Sequence, residues 1–436
     1  MRILIICPHM PPVNAADMHR VRQDLNYFKS NNCDVTIISV EEEYIDFSRD
    51  EYLVNTVPES IELIKVKAIR SKWAKFFGFS SIAIRAYYNY YKKMDYLLKT
   101  RKYDIIFFST TMFPLFTLGP IFKKKYGVPF VVDMQDPWVS NYYDNLPYSK
   151  RPPKYFIASI IDRLLERYTM NYVDGIVSVS GDYIIDLKQR YKKLKDVSSI
   201  VMTFSAPEFD IEIFNKIKLD LEQENDSLID STKTNITYVG RAGVDMELTI
   251  NWFFKSLREL LDEKKINNNI KVNFIGTSYD PSGAAKKMVN PIAAKYNLQD
   301  IVFEQTDRVS YFRALNYINN SDVIFIPGSD DASYTASKIF PYILLKKPLI
   351  AVFHEDSSVC NVLEEIAYPG LVKFNKHSNI GYVINNIKSE LDRSINRKLV
   401  NVEYNVELFD KYTSKNMTNK LVEFFLQVID ANSKDN

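Results

Sequence analysis

The sequence predicts two α/β domains that face each other across a cleft, each built on a parallel β-sheet. Short apolar runs alternate with longer amphipathic segments, an order that is typical of parallel sheets covered by helices. This alternation begins at Ile3, breaks near Pro207 and restarts at Ile236, which indicates two domains of similar size. The length of 436 residues allows each domain to bury a complete hydrophobic core.

Five strands and four helices are expected in the first half of the chain. Runs of four to six mostly apolar residues suit buried strands, whereas longer segments with helical periodicity suit the covering helices. The expected strands are Ile3–Cys7, Val35–Val40, Ile105–Phe108, Phe130–Met134 and Gly175–Val179. The expected helices are Asp17–Ser30, Ser81–Thr100, Leu115–Lys125 and Pro153–Tyr172.

The second half repeats the pattern after Pro207–Thr234, which we interpret as a polar linker or surface excursion. Its expected strands are Ile236–Val239, Val272–Ile275, Ile301–Phe303, Val323–Ile326 and Leu349–Phe353. A helix is expected to begin around Thr335–Lys338 and to end before Pro348. The segment Val406–Ile429 is interpreted as one long amphipathic helix.

Composition excludes several function classes. With 46% hydrophobic and 25% charged residues the chain is an ordinary globular protein, and a net charge of +2 does not make it a nucleic-acid binder. None of the 12 glycines forms a GxGxxG or Walker loop. Three cysteines without disulfide or metal spacing suit a reducing compartment, and the four histidines are too scattered for a zinc site. Because the chain opens on a strand rather than a signal peptide, we expect a cytoplasmic protein.

One segment raises a membrane-spanning alternative. Ile105–Phe122 contains 18 residues without a charge, and three lysines follow it. A spanning helix usually needs about 20 apolar residues, and this segment contains two prolines and a glycine. The pattern therefore favours a strand, a Ser-Thr-Thr turn and a buried helix.

Polar residues follow the first strand, where parallel sheets bind ligands at the carboxyl ends of their strands. The strand leads into a proline-rich loop, and Asn14, Asp17 and His19 come next. Asp17 is expected to be the N-cap of the first helix. These three residues are candidate substrate-binding groups, and a surface loop with a capped helix is the alternative interpretation.

A second candidate site follows the strand Phe130–Met134. Gln135, Asp136, Pro137 and Trp138 place a carboxylate and an aromatic ring at the carboxyl end of a buried strand. A carboxylate at such a strand end can orient a ligand hydroxyl and accept its proton. Asp136 is therefore the candidate catalytic residue, and an Asp-Pro turn is the structural alternative.

A third candidate site lies in the second half of the chain. Gly240 permits a tight turn after a strand, and Arg241 offers a planar fork that suits a phosphate. Gly276 marks the corresponding turn after the next strand. The polar loop that follows Val323–Ile326 leads into a helix start, whose free N–H groups and dipole favour an anion. We expect this loop to bind a diphosphate, and its candidate binding residues are Asp331, Ser333, Thr335 and Lys338.

These segments, in this order from residue 2 to about residue 365, resemble the retaining nucleotide-sugar glycosyltransferases of the GT-B type, the family 4 group. The resemblance implies a Rossmann-like acceptor-binding domain at 1–205 and a Rossmann-like nucleotide-sugar domain at 206–405. It also implies that a final helix, at 406–436, crosses back to the first domain. Asp136 would then lie at the acceptor, and Arg241 and Lys338 would hold the donor diphosphate without a metal or other cofactor.

The implied activity is transfer of a hexose from a nucleotide diphosphate donor, with retention of configuration, in surface polysaccharide or glycoconjugate synthesis. The sequence departs from the family at two glutamates, whose positions are occupied by Ser333 and Pro341. The family's lysine after Arg241 is also absent, and Val244–Glu247 stands there instead. Two alternatives therefore stay open: a nucleotide-sugar epimerase on the same fold, and a catalytically silent partner of an active transferase.

The segment 65–102 has a distinctive charge pattern. It contains 11 basic residues and a single acid, Asp95, interleaved with aromatic residues such as Trp73, Tyr88 and Tyr96. Basic and aromatic residues on amphipathic helices suit an anionic bilayer surface. We expect peripheral contact with the inner face of the cell membrane, where a glycan or lipid-linked acceptor would be found. A solvated basic helix face is the alternative, and no nucleic-acid motif accompanies the segment.

Overall fold

The computed structural model describes residues 1–71, 81–139, 155–223, 228–278, 280, 283–330, 337–396 and 402–434. The chain forms two compact units. Unit 1 comprises Met1–Ser205 and Ser414–Asn436, and unit 2 comprises Ala206–Thr413. Each unit holds its own parallel sheet covered by helices, so the predicted pair of α/β domains is confirmed.

Unit 1 is built on a seven-stranded parallel sheet with the order β3-β2-β1-β4-β5-β6-β7. Its strands are β1 Arg2–Ile6, β2 Asp34–Val40, β3 Glu62–Val66, β4 Ile105–Ser109, β5 Phe130–Met134, β6 Gly175–Ser178 and β7 Ser198–Val201. Its helices are α1 Ala16–Phe28, α2 Ile82–Thr100, α3 Leu118–Tyr126, α4 Tyr155–Met170, α5 Gly181–Arg190 and, from the end of the chain, α14 Ser414–Lys434. The strand order reverses between β1 and β4, which creates a crevice for a ligand at their carboxyl ends.

Unit 2 has a six-stranded parallel sheet with the order β10-β9-β8-β11-β12-β13. Its strands are β8 Thr234–Val239, β9 Ile270–Ile275, β10 Val302–Gln305, β11 Val323–Pro327, β12 Leu349–His354 and β13 Leu371–Phe374. Its helices are α6 Glu208–Gln223, α7 Glu247–Asp262, α8 Val289–Lys295, α9 Tyr311–Asn319, α10 Ile339–Leu344, α11 Ser358–Glu365, α12 Ile380–Asn396 and α13 Val406–Phe409. Here the strand order reverses between β8 and β11, so the equivalent crevice opens beside Gly240 and Gly328.

The central strands explain why the apolar runs predict the fold well. β4 and β5 are buried at every position, as expected for parallel strands covered on both faces. The uncharged segment after β4 forms a 3-10 turn, Phe113–Thr117, and then α3, as predicted. In the described part of the chain, no helix combines the length and the apolar character needed to cross a membrane.

Three strands were missed because they are short, partly exposed edge or near-edge elements. β3 and β13 mix buried with accessible positions, and no position of β7 is fully buried, so their sequences lack a continuous apolar run.

The prediction of a linker at Pro207–Thr234 is wrong. Glu208–Gln223 forms α6, a 16-residue helix that buries Ile213, Phe214, Ile217 and Leu221. These residues recur at a spacing of three to four, which places them on one helix face. Most other positions in the segment are polar, so the sequence pattern did not indicate a helix with an apolar face.

The last predicted helix is interrupted. Val406–Phe409 forms α13 in unit 2, and α14 begins only at Ser414, after a turn in which Thr413 N–H donates to the Asp410 carbonyl at 3.0 Å. Within unit 1, α14 packs against α1 and the sheet. Thr418 Oγ1 donates to Asp24 Oδ1 at 2.9 Å, and the Phe107 and Phe425 rings lie 5.0 Å apart.

Candidate functional site

In unit 1, a buried histidine lies in the loop that follows β1. His9 Nδ1 is 2.8 Å from Asp17 Oδ1, and Thr110 Oγ1 donates to Asp17 Oδ2 at 2.7 Å. All three side chains are buried, and His9 Nε2 has no hydrogen-bond partner in the described part of the chain. The crevice at the β1/β4 reversal therefore holds a buried ring nitrogen with unused hydrogen-bonding capacity.

The structure corrects the predicted role of Asp17. The N-cap position of α1 is Ala15, and Asp17 lies within the first helical turn. Its carboxylate is turned toward His9 and Thr110 rather than toward the helix N–H groups. Asp17 therefore joins α1 to the loop after β1 and to the end of β4.

Asn14 and His19 form a second pair at this end of the sheet. His19 Nε2 lies 3.2 Å from Asn14 Oδ1, and an Arg22 guanidinium nitrogen lies 3.0 Å from His19 Nδ1. Since Arg22 can only donate, the ring proton of His19 belongs on Nε2. The structure thus places Asn14 and His19 in one hydrogen-bonded cluster.

A buried ion pair lies at the same end of the sheet. Arg20 Nε donates to Asp133 Oδ2 at 2.7 Å, and Ser109 Oγ donates to the same oxygen at 2.7 Å. The Arg20 guanidinium also donates to the Thr203 carbonyl at 2.6 Å. Gln135 Nε2 donates to Ser109 Oγ at 3.1 Å. These contacts connect α1 with the carboxyl ends of β4 and β5.

Asp136 lies in the loop directly after β5 and keeps access to solvent. The surrounding protein removes part of its solvation and raises the pKa of its carboxyl group, and the negative charge of Asp17 acts in the same direction. The Asp17 carboxylate therefore lies close enough to act on Asp136. A carboxyl group with a raised pKa in a crevice is suited to proton transfer.

In unit 2, Lys338 lies against the turn that follows β8. Its ammonium is 5.5 Å from the centre of the Tyr238 ring. A Cβ atom at Gly240 would be 1.8 Å from Lys338 Nζ, and Gly240 has φ = +151°. Only glycine therefore leaves room for the lysine while adopting this backbone conformation.

Two arginines share this crevice with Lys338. Burial, together with the positive charges of Arg308 and Arg241, lowers the pKa of the Lys338 ammonium to about 8. A Cβ atom at Gly276, which has φ = +73°, would lie 3.6 Å from the Arg308 Cα atom. Gly240, Gly276, Arg241 and Lys338, predicted separately, are thus grouped at the carboxyl ends of β8 and β9.

Arg241, which is predicted to clamp a phosphate, pairs with a neighbouring acid. Its two terminal nitrogens each lie 2.8 Å from an Asp245 carboxylate oxygen, a bidentate ion pair. Burial alone would raise the pKa of Asp245, but the contact with Arg241 outweighs it and lowers that pKa. The Asp330 N–H donates to the Asp245 carbonyl at 2.9 Å, which ties the loop after β11 to the same turn.

The loop after β11 is only partly described. Asp331, Ser333 and Thr335 lie outside the described residues. In the described part, the helix expected to begin around Thr335–Lys338 begins at Ile339, and Lys338 occupies its N-cap position. No three His, Cys, Asp or Glu side chains among the residues described here are grouped so that they could hold a metal ion.

Sequence reasoning missed three groups that the structure adds to these crevices. Thr110 follows β4 directly, and His9 and Arg308 lie a few residues after β1 and β10. Their positions just after parallel strands were the available signal. Nothing in the local sequence indicated that they would meet Asp17 and Lys338.

The chain forms two α/β units, each built on a parallel sheet with a crevice where its strand order reverses. This architecture is the GT-B fold. No family model matches the chain, and no curated protein matches it. Solved structures match it over almost the whole length.

One match is HepE from Anabaena in complex with UDP-glucose, with a TM-score of 0.57, 11% identity and coverage of 98% of this chain and 100% of that chain. Another is a UDP-forming α,α-trehalose-phosphate synthase from Burkholderia xenovorans, with a TM-score of 0.57, 11% identity and coverage of 98% and 99%. A third is UDP-GlcNAc 2-epimerase from Methanocaldococcus jannaschii, with a TM-score of 0.55, 13% identity and coverage of 98% and 100%. At such low identity these likenesses establish the fold, which is the one predicted.

Proposed function

We propose that the protein is a glycosyltransferase that moves a hexose from a nucleotide diphosphate donor to a membrane-associated glycan or lipid-linked acceptor. The observation that carries the proposal is the partly buried Lys338 side chain, whose ammonium lies against Gly240 beside Arg241 and Arg308. Three cations meet in one crevice, with Asp245 paired to Arg241, and a group of cations of this kind suits a diphosphate. Matches on this fold include proteins that bind UDP-glucose or form UDP.

In the proposed reaction, unit 2 binds the donor and its cations stabilise the departing diphosphate. As the bond from the sugar to the diphosphate breaks, negative charge grows on the leaving oxygen, and a preorganised cation is most effective there. Lys338 and Arg308 contribute positive charge at this position. Arg241 contributes once its fork is shared between Asp245 and the phosphate.

Unit 1 binds the acceptor in the proposed reaction. The Asp136 carboxylate orients the acceptor hydroxyl and takes up its proton as the new glycosidic bond forms. His9 Nε2 and the Asn14–His19 cluster supply further polar contacts at the same end of the sheet. Retention of configuration and a role in surface polysaccharide or glycoconjugate synthesis follow from the resemblance to family 4.

Replacing Asp136 with asparagine tests the acceptor half of the proposal. Asp136→Asn is expected to lower transfer by roughly 10²- to 10⁴-fold, the usual contribution of a positioned acid or base. Affinity for UDP should stay within about twofold, because the donor cations belong to unit 2. Transfer is measured with a nucleotide-sugar panel, and UDP affinity by calorimetry. Equal transfer by Asp136→Asn and the original protein would remove Asp136 from the mechanism.

If Lys338 binds the donor diphosphate, UDP affinity should depend on pH in a range where a lysine with an ordinary pKa stays charged. Lys338 has a pKa of about 8, so UDP affinity should be constant below that pH and fall by up to tenfold per unit above it. The decline reflects loss of the ammonium charge in the unliganded protein. Calorimetry between pH 7 and 9.5 measures it. Lys338→Arg, which stays charged throughout, should flatten the profile; an equally steep decline in that variant would contradict the assignment.

The membrane part of the proposal rests on α2. Tyr88 and Tyr96 on this helix are exposed, and the Lys92 and Lys93 ammonium groups lie 4.5 Å and 5.7 Å from their ring centres. Tyr90 is fully buried. The neighbouring residues 72–80, which include Trp73, lie outside the described part of the chain. The exposed face of α2 therefore combines rings and positive charge.

Reversing charge on this face should weaken binding to anionic vesicles at low salt. Lys92→Glu with Lys99→Glu is expected to lower the bound fraction several-fold, since each basic residue near such a surface contributes about 1 kcal/mol. Lys255→Glu with Lys376→Glu in unit 2 is the matched control. Co-sedimentation at 0.05 and 0.5 M salt measures the effect. Identical binding by both double variants would exclude α2 from the contact.

The second candidate function is a nucleotide-sugar epimerase. The buried His9–Asp17 pair and the raised pKa of Asp136 provide acid–base groups that such chemistry needs, and an epimerase has this fold. Nuclear magnetic resonance of a UDP-sugar incubated with the protein and no acceptor separates the two: a new sugar isomer indicates epimerisation. Absence of any nucleotide diphosphate affinity would instead indicate a catalytically silent partner protein.

A further inference from the structure

Helix α4 of unit 1 carries its apolar residues on the side that faces away from the unit. Only Glu166, Thr169 and Met170 of this 16-residue helix are buried. Its large exposed apolar side chains are Phe156, Ile157, Ile160, Ile161, Leu164 and Tyr168. Phe156 is 73% exposed and Leu164 is 61% exposed. This is the reverse of an ordinary surface helix, whose apolar face points to the core.

The helical spacing gathers these residues into one stripe. Ile157, Ile160, Ile161, Leu164 and Tyr168 follow each other at intervals of one, three or four, so they share the outward face. The buried residues Glu166, Thr169 and Met170 define the opposite face. The stripe is therefore a consequence of the helix geometry rather than a scatter of single exposed residues.

The charges on α4 are divided in the same way. Asp162 is turned inward, where it accepts a hydrogen bond from Trp138 Nε1 at 3.2 Å. Glu166 is fully buried, accepts from the Val139 N–H at 3.0 Å and pairs with Arg190. The exposed charged residues of the helix are Arg163 and Arg167. The outward face thus combines aliphatic side chains with positive charge, and both acids point into unit 1.

A groove beside the helix continues this combination. It is about 450 Å³ in volume, and its lining residues include the apolar Ile160 and Leu164 and the basic Arg163, Arg167 and Arg190. At the edge of the surface, Tyr172 is half-exposed and the Lys193 ammonium lies 5.5 Å from its ring centre. Positive charge and aromatic rings border the stripe, as they do in helices that lie at the boundary between lipid headgroups and acyl chains.

We propose that α4 is a membrane-docking helix that inserts its outward stripe into the interface of an anionic bilayer. A protein partner would need a larger surface. At roughly 100 Å² per side chain, the five stripe residues offer about 500 Å², below the roughly 800 Å² per partner of a stable protein interface. A bilayer needs no matching surface and accepts a single helix. The charge pattern selects anionic lipid headgroups.

This docking is separate from the sugar transfer proposed above and adds to the electrostatic attraction of α2. Helices α2, α3 and α4 adjoin one another within unit 1 around the turn Phe113–Thr117. Attraction by α2 decays with added salt, because ions screen exposed charges. Insertion of the α4 stripe is hydrophobic and persists in salt. The two contributions can therefore be measured independently.

Vesicle flotation without any sugar nucleotide tests the proposal. Vesicles of phosphatidylcholine and phosphatidylglycerol are used in 0.15 M and 0.5 M sodium chloride. Ile157→Gln with Leu164→Gln should weaken binding at least tenfold and abolish the portion that remains in 0.5 M salt. The matched control is Leu219→Gln with Ile380→Gln, two exposed aliphatic residues of unit 2 (70% and 54% exposed), and it should bind like the original protein.

A second measurement does not depend on weakening the helix. Leu164→Trp should bind as the original protein does, and lipids brominated on their acyl chains should quench additional fluorescence relative to that protein. Leu219→Trp should show no additional quenching. Equal quenching of the two tryptophan variants would overturn the proposal.

Two other results would also overturn it. One is unchanged flotation of the Ile157→Gln, Leu164→Gln protein in both salt concentrations. The other is a dimer in sedimentation that this variant converts to a monomer without any change in flotation, because the stripe would then join two copies of the chain. Since every readout lacks donor and acceptor, failure here leaves the proposed transferase activity standing, and the reverse also holds.

Discussion

Loss of both Lys338 and Arg241 is expected to lower UDP affinity by roughly 10²- to 10⁴-fold, at about 1.5–3 kcal/mol for each charge-assisted contact. Lys338 supplies a partly buried charge beside the β8 turn, and Arg241 supplies the adjacent guanidinium fork. Arg241→Ala alone should cost about 2–4 kcal/mol of transition-state stabilisation in transfer, the scale for one preorganised donor. Arg241→Lys should recover little, since the bidentate geometry is lost. Calorimetry and initial rates measure these effects.

The matched control for Arg241 lies in the same unit. Arg258 forms an ion pair with Asp262 four residues later, the same spacing as Arg241 and Asp245. Arg258→Ala should leave UDP affinity and transfer unchanged. Asp245→Asn should preserve or increase affinity, because it releases the Arg241 fork. Unchanged UDP affinity in the Lys338, Arg241 double variant would leave the donor site, and the proposed activity with it, without support.

Removing Arg20 is expected to destabilise unit 1 by about 3–5 kcal/mol, the cost of leaving one partner of a buried ion pair uncompensated. Asp133 is fully buried, its Oδ2 receives both Arg20 and Ser109, and its Oδ1 has no hydrogen-bond partner in the described residues. In Arg20→Met, the carboxylate must remain charged in an apolar setting or take up a proton. Hydrogen exchange of the β1 and β4 amides in increasing urea measures the free energy of unfolding of unit 1.

Two further variants distinguish the stability contributed by the buried ion pair from the general effect of removing a charge. Arg20→Met with Asp133→Asn should recover most of the loss, because no buried charge is left alone. Arg2→Met breaks the exposed pair with Asp34, with side chains 56% and 68% accessible, and should cost no more than about 1 kcal/mol. A similar cost for Arg2→Met and Arg20→Met would show that burial does not set the size of the effect.

Central strands could be predicted from the sequence because burial on both faces forces a continuous apolar run. Phe130–Met134 is found with the predicted bounds, and Ile105–Phe108 differs by one residue. The edge strand Glu62–Val66 could not be found this way, because it has access to solvent and mixes polar with apolar residues. Helix α6 was missed for a related reason: its apolar face is narrow and its other positions are polar.

The candidate site was predictable in position but not in its contacts. Residues just after parallel strands identified Asp136, Gly240 and Arg241, since topology brings these loops to one edge of each sheet. Which side chains meet there depends on pairings between distant residues. A linear pattern does not show that Asp245 pairs with the Arg241 guanidinium. It also does not show that Arg308 approaches Lys338. Recognising Gly240 as the space for a lysine required the three-dimensional backbone.

Unit 1 is built from two separate stretches of chain, and this affects the order in which the protein folds during synthesis. Unit 2 lies entirely between Ser205 and Ser414 in the sequence, so the ribosome finishes it before it makes α14. Until α14 emerges, Phe107 lacks the Phe425 ring, and Gly175 lacks Val428, whose side chain lies where a Cβ would reach. This part of the sheet of unit 1 therefore stays uncovered while some 200 further residues are translated. Translation proceeds at roughly 5–20 residues per second. For tens of seconds the incomplete sheet is a surface on which chaperones can act and aggregation can begin.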